Sequence, residues 1–281
     1  FCLIPFFLIT GPFLSDLSVS LIGLLYAVHC IKKKNFSYFN NKYFYFFLIF
    51  WIYLIINSLI NNFYLDSLKI SFFYFRYAFF VVAIVALLDV EDSFVKYFFY
   101  CIFFCFLALI LDGFYQYFFG ENVLGWKTFD RVSSFFGDEK ILGSYLSRLW
   151  PIFFGLYIFI FKKKSYLFPL FILIFILSEA LIFLSGDRTA FFNINLSAIF
   201  VILFSSKLAK LRLFTLLSSI ALLVIISLIN PTAKERVIDK TFDQMNLIDE
   251  KKKNKEGLYI FSKEHTHHYI TAYRMYLDNK I

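Results

Sequence analysis

The sequence predicts an all-α protein, a polytopic transmembrane helical bundle of about nine spans followed by a partly helical outward C-terminal segment. Three observations carry that prediction. First, 60% of the 281 residues are hydrophobic and the mean hydropathy is +0.71, whereas a globular domain is roughly 45–50% apolar. The surplus has to face something other than water, and lipid is the simplest such medium. Second, the apolar residues come in runs close to the ~20 residues that a helix needs to cross a bilayer core. Third, the net charge of +8 is not gathered into one basic stripe, as a nucleic-acid surface would require. It is split into short clusters between apolar runs, the arrangement that fixes orientation in a membrane. Membrane lipids are therefore expected as partners, and nucleic acid is not. The 43 Phe fit a compositional bias toward A- and T-rich codons and are not a functional signal.

The expected spans are residues 1–9 (the tail of a cut span), 17–31, 43–60, 68–88, 94–119, 142–161, 166–184, 189–205 and 213–229. Gly11-Pro12 with Asp16 breaks the first from the second. Lys32-Lys33-Lys34 closes the second, and Asn61-Asn62 the third. The fourth carries Arg76 within it. The fifth is long enough to tilt. Lys162-Lys163-Lys164 follows the sixth, and Ser185-Gly186-Asp187-Arg188 joins the seventh to the eighth. Asn230-Pro231 closes the ninth.

Loops must alternate sides, so the positive-inside rule tests this count. Lys32–34, Lys162–164 and Lys207, Lys210 and Arg212 all fall on one side, the expected cytoplasmic face. Loops 10–16, 61–66, 120–141, 185–188 and everything after Asn230 fall on the other. The acidic stretch 89–93 lands inside, but acidic residues weigh little in the rule, and Lys251-Lys252-Lys253 lands outside in a loop long enough to cross regardless of charge.

Residues 1–229 thus read as the transmembrane domain and 230–281 as a soluble segment of mixed charge. Within the latter, 234–245 has helical spacing, 251–257 reads as loop, and 265–277 places Tyr269, Ala272, Tyr273 and Tyr276 on one side of a helix. The chain opens inside an apolar run without Met and stops inside a helix-like pattern, so it is expected to be a fragment of a longer protein, truncated at both ends.

Several residues invite a chemical reading. Cys2, Cys30, Cys101 and Cys105 lie in or beside spans, where Cys behaves as a small hydrophobe. Asp112 and Gln116 are four apart and share a helix face near the outward end of the fifth span, where polar groups face a protein interior or a wet cavity. In the following loop, Gly120 and Gly125 permit tight turns, Trp126 suits an interface, and Arg131 stands among hydroxyls; its plain reading is an interfacial loop with snorkelling charges. Arg188 sits in a four-residue hairpin at the outer interface, where a guanidinium fork matches phosphate oxygens in a way Lys does not; the plain reading is an anchoring charge. Arg148 and Arg76 either add to the same positive field or snorkel. His265, His267 and His268 lack the spacing of a zinc site, so no metal is expected. A general base or a solvated loop both remain open for them.

Taken in order, D-G-F-Y-Q-Y-F-F-G-E-N from Asp112, R-V-S-S-F-F-G-D-E-K-I-L-G-S-Y-L from Arg131, S-G-D-R-T-A from Ser185, and H-x3-Y-x2-A…D-N-K-I from His265 resemble the O-antigen ligase and polymerase superfamily of bacterial envelope biosynthesis. The resemblance is strongest from residue 112 onward, and the order and topology of the pieces carry it together. It implies a glycosyltransferase of the bacterial inner membrane, with its lysine-rich loops cytoplasmic. Such an enzyme moves a glycan from undecaprenyl diphosphate to lipid A-core (ligase) or to a growing glycan (polymerase) at the periplasmic face, without a cofactor. It further implies that Arg188 and Arg131 bind the diphosphate, with Asp112, Gln116, Arg148, Arg76 and His265 as supporting candidates. The family's essential His follows a Gly-x-Gly run that would lie beyond residue 281, and Arg often stands where this chain has His265. The fragment alone is therefore expected to be inactive. A polysaccharide flippase or transporter is the alternative from another class.

Overall fold

The computed structural model describes residues 1–60, 64–128, 131–161, 168–204, 206–229, 231–245, 247, 259 and 263–278. Among these the fold is all-α, with no strand and one isolated antiparallel bridge, Glu121 to Lys127. The helices are α1 (Ile4–Thr10), α2 (Pro12–Lys33), α3 (Lys42–Ile60), α4 (Tyr64–Phe73), α5 (Phe75–Val90), α6 (Ser93–Phe119), α7 (Leu142–Ile160), α8 (Phe168–Leu184), α9 (Arg188–Phe204), α10 (Ser206–Ile229), α11 (Pro231–Lys234), α12 (Lys240–Gln244) and α13 (Lys263–Asp278). A π turn, Glu235–Asp239, joins α11 to α12.

Four helical stretches are long and apolar enough to cross a membrane: Pro12–Lys33, Lys42–Ile60, Leu65–Val90 and Ser93–Phe119. Pro169–Leu184 and Leu216–Ile229 are shorter apolar stretches. On α3, Tyr43 and Phe46 are each 75% exposed and Ile49 68%, a patch that would drive aggregation in water and that lipid would cover. These helices point to a membrane protein.

The chain forms two compact units, Phe1–Cys105 with Gly155–Lys162, and Phe106–Phe154 with Lys163–Ile281. In the first, α2 and α5 run side by side in the same direction. Asp16 meets Arg76 near their starts, and Gly23 lies against Phe79 and Phe80 one to two turns on. Helix α3 runs back between them in sequence: Phe47 stacks on Tyr74, and the Ser58 hydroxyl shares a 2.6 Å hydrogen bond with that of Ser71. Asn41 caps α3 by accepting the Phe44 N–H at 2.9 Å. Phe1 stacks on Phe98, so α1 packs beside the first half of α6.

The structure moves three expected features. The break expected over 10–16 is confined to Gly11, whose φ of +123° turns the chain. Pro12 then starts α2 at the position where a missing N–H costs nothing. Asp16 is therefore helical. The fourth apolar stretch begins earlier than residue 68 and bends at Tyr74, where Tyr74 N–H reaches back only to the Ser71 carbonyl. That carbonyl also accepts the Trp51 indole N–H at 2.9 Å, which draws it out of the helical ladder. Finally, Lys207, Lys210 and Arg212 lie within α10 and not in a loop before it. The helical expectations for 234–245 and 265–277 hold in α11 to α12 and in α13. Asn61-Asn62, Lys162–164, Asn230 and the 251–257 loop lie outside the described residues.

Gly23 sets how closely α2 and α5 approach. A Cβ there would come within 3.2 Å of the Phe79 Cβ and 3.3 Å of the Phe80 backbone nitrogen, and backbone cannot rotate aside. Gly23→Leu is expected to destabilise the first unit by about 1–3 kcal/mol through overpacking, read as a lowered unfolding temperature in detergent.

Between α5 and α6, the Glu91 carboxylate is held below its usual pKa by the Ser93 hydroxyl and then by the Ser93 N–H, which it accepts at 3.3 Å. A depressed carboxyl pKa stabilises the fold above its unfolded pKa and loses that contribution as pH falls through its folded one. The protection of the Ser93–Val95 amides, taken against the intrinsic exchange rate at each pH, should therefore fall below the usual carboxylate range, and Glu91→Gln should remove that pH dependence.

In the second unit, Trp150 and Phe153 of α7 and Phe175 of α8 are at most 1% exposed and pack together through edge and tilted ring contacts with Phe171. Gly113 lets α6 approach Leu181 of α8, while α10 packs against α8 and α9. Pro151 lacks the N–H that the Ser147 carbonyl would otherwise receive.

Candidate functional site

A buried polar cluster lies where four helix termini of the second unit meet: the end of α6, the start of α7, the end of α8 and the start of α9. It is built on Asp112 and Gln116, which the helical spacing puts on one face of α6 and which are 3% and 0% exposed. Two polar side chains in that position require partners, and the loop after α6 supplies them. Gln116 Oε1 accepts the N–H groups of Ser133 at 2.9 Å and Ser134 at 2.7 Å, and its Nε2 donates to the Trp126 carbonyl at 3.1 Å. Asp112 accepts the Val123 N–H at 3.0 Å and the Ser134 hydroxyl at 2.6 Å. Asn122, 3% exposed, donates to the Ser134 carbonyl and accepts the N–H groups of Leu124 and Trp126.

Ser134 is thus gripped through its N–H, carbonyl and hydroxyl. The grip holds it at φ +51°, a left-handed conformation that a residue with a Cβ rarely adopts. Gly120, Gly125 and Gly137 take the other left-handed positions of this loop. At Gly137 there is also no room, because a Cβ would touch the Trp126 ring at 3.0 Å. The expected interfacial loop is therefore a folded element, clamped to α6 by buried hydrogen bonds. Trp126 has its ring 44% exposed, as an interfacial residue would.

The second half of the site is the turn from α8 to α9. Asp187 is the N-cap of α9: its Oδ1 accepts the Ala190 N–H at 3.0 Å, and its Oδ2 accepts the Ser144 hydroxyl at 2.8 Å. Gly143 makes the approach possible, since a Cβ there would sit 2.7 Å from the Ser185 Oγ and 2.9 Å from the Asp187 Cβ. Asp187 is committed to that cap, so it does not neutralise its neighbour. Arg188 is the first residue of α9, half-buried, and among the described residues its hydrogen-bond partner is Gln244 of α12. The two halves join at the start of α7, where the Phe136 ring contacts Tyr145 with 5.5 Å between centroids, one residue from Ser144.

The structure distributes the sequence-derived candidates as follows. Asp112 and Gln116 form the buried clamp. Arg131 lies two residues before the clamped Ser133, is half-buried, and makes no hydrogen bond or ion pair among the described residues, with its Nε buried. Arg188 occupies the same end of the unit. Arg148 projects from α7 as an exposed residue, outside the clamp. His265 is exposed on α13. Arg76 is a correction: it belongs to the first unit and is neutralised by a bidentate pair with Asp16, at 2.7 and 2.8 Å. Its charge is spent on joining α5 to α2, so it adds no free positive field.

The sequence reading missed Asn122, Ser134 and Gln244, whose roles depend on partners 10 to 56 residues away. It also missed Glu179, a fully buried acid in apolar α8, which its charge in an apolar run could have flagged. Cys101 and Cys105 of the first unit, half-buried and buried respectively, are in no disulfide. Among the described residues, no group of three or more His, Cys, Asp or Glu is placed to hold a metal ion. Comparison of the chain with family models, with curated proteins and with solved structures found no match.

Proposed function

We propose that this chain is part of an O-antigen ligase-like glycosyltransferase of the bacterial inner membrane, and that Arg131 and Arg188 bind the diphosphate of an undecaprenyl-linked glycan. The observation that carries the reading is the position of the two guanidiniums. One rides on a loop clamped to α6, the other opens α9 behind an Asp cap, and both stand at the same end of the second unit, without a carboxylate partner among the described residues. Fixed cations at the water-facing ends of apolar helices suit a lipid diphosphate, whose charge lies at the membrane surface.

In the proposed reaction, an acceptor hydroxyl attacks the anomeric carbon, the bond from that carbon to the diphosphate oxygen breaks, and undecaprenyl diphosphate leaves. The arginines stabilise the charge that grows on the departing oxygen. The hydroxyl proton passes to the departing diphosphate, and His265 is not given the role of base.

The same reading holds the chain to nine crossings with the lysine-rich loops in the cytoplasm. It is supported by the alternating helix directions within each unit, and by the closeness of Tyr38 to Asp89, which sets the α2–α3 and α5–α6 loops at one end. The full-length gene should restore capped lipopolysaccharide in a ligase-null strain, with lipid A-core as acceptor. Restoration of chain length only in a polymerase-null strain assigns the polymerase branch. Recovery in neither overturns the proposal.

A second reading, a polysaccharide flippase or transporter, draws on Glu179, because a buried acid in an apolar helix is where a transporter keeps a proton or ion site. It predicts that Glu179→Gln abolishes flux while Arg188→Ala leaves it intact.

A further inference from the structure

Helix α13 runs for 16 residues without Gly or Pro. At 100° per residue, Tyr269, Ile270, Ala272, Tyr273, Tyr276 and Leu277 share one half of its circumference with His265 and Thr266, and Lys263, Glu264, His267, His268, Thr271, Arg274, Met275 and Asp278 fall on the other. On that half Tyr273 and Tyr276 are 63% and 61% exposed, and Ile270 and Leu277 are each 42% exposed. A helix of about this length is marginal in water unless such a face is packed.

We infer that α13 lies in the plane of the membrane, with its tyrosine face in the headgroup–acyl boundary of phospholipid. Three observations select that occupant. The Tyr259 N–H donates to the Met245 carbonyl at 3.3 Å, which returns the chain to the end of α12. Helix α13 begins four residues later, within roughly 14 Å at full extension. In turn, α12 is held at the start of α9 through the Gln244–Arg188 hydrogen bond, so α13 starts at the level where the apolar helices end and the lipid surface begins.

The residue chemistry agrees. Tyrosine presents an apolar ring and a polar tip, which suits the membrane interface, and the charged half of α13 keeps it from crossing the core. Lys263 and Arg274 are balanced by Glu264 and Asp278. Binding therefore draws on buried apolar area, about 5–10 Å deep, and neutral phosphatidylcholine suffices.

The test uses the full-length protein in phosphatidylcholine nanodiscs, with Cys2, Cys30, Cys101 and Cys105 replaced by Ala. Reporter thiols are introduced singly as Tyr273→Cys, Tyr276→Cys and His267→Cys, and each carries an environment-sensitive fluorophore. The reporters at 273 and 276 should shift to the blue and be quenched several-fold more than the one at 267 by phosphatidylcholine bearing a nitroxide near its headgroup. Water-like emission at both apolar positions overturns the inference. So does a blue shift that lipid-borne nitroxide does not quench, because then protein, from this chain or a second copy, covers the face.

Discussion

Arg188→Ala is expected to lower glycan transfer by about 10²- to 10³-fold, the loss that follows removal of one fixed donor from a developing anion, with little change in folding. The separation of the two effects follows from how Arg188 is held. The start of α9 is stabilised by Asp187, whose carboxylate caps the helix and ties it to Ser144, and neither bond uses the arginine side chain. Its own hydrogen bond goes to Gln244, a neutral partner whose loss is worth about 1–2 kcal/mol.

Arg188→Lys should recover only part of the activity. An ammonium supplies the charge but not the planar fork that holds two phosphate oxygens at once. The measurement is transfer from a lipid diphosphate donor by the full-length protein, with unfolding temperature recorded on the same samples. Activity of Arg188→Ala within a factor of about two of wild type, at unchanged stability, would remove Arg188 from the site. If Lys matched Arg, only the charge would matter. Asp187→Ala is the useful contrast, because it should lower stability and activity together through loss of the cap, typically about 1 kcal/mol.

The features legible in the sequence were those whose cause is local. Apolar run length marked α3 and α6 to within a residue, and α2 and the joined α4–α5 stretch to within about five, because a run of that length is the whole requirement for an apolar helix. The shared face of Asp112 and Gln116 was equally visible, being a property of four-residue spacing. What the pair binds was not. Its partners come from a loop with no periodicity, and the grip on Ser134 depends on a left-handed backbone that Gly usually supplies.

Long-range pairing escaped for the same reason. Asp16 and Arg76 are 60 residues apart. Each taken alone looked like a loop breaker and a snorkelling charge, and only the parallel packing of α2 on α5 makes them a pair. The single-residue break at Gly11 shows how little a polar residue such as Asp16 determines by itself. In isolation it favours a loop, yet a cationic partner on the next helix keeps it in α2.

Gln116→Leu is expected to release the 120–141 loop while leaving α6 in place. Leucine fills nearly the same volume, so the helix itself loses nothing, but two buried backbone N–H groups, those of Ser133 and Ser134, lose their acceptor at once, while the Trp126 carbonyl keeps the Asn122 N–H. Each stranded group costs about 1–3 kcal/mol. The two share one side chain and so will not add in full, but both fall on a segment already strained by the left-handed Ser134. The cheapest response is for the loop to swing out and hydrate those groups.

Amide exchange at Ser133 and Ser134 should therefore rise toward that of an open loop, while amides in the middle of α6 keep their protection. Glycan transfer should fall in step, because Arg131 rides two residues ahead of the released segment. Gln116→Glu separates the bonds: it keeps an acceptor for both N–H groups but does not donate to the Trp126 carbonyl, which retains the Asn122 N–H. It should thus keep Ser133 and Ser134 protected and the loop in place. Full protection of Ser133 and Ser134 in Gln116→Leu would mean that Asp112, through the Ser134 hydroxyl and the Val123 N–H, holds the loop without help, and the double replacement with Asp112→Asn would then be required to open it.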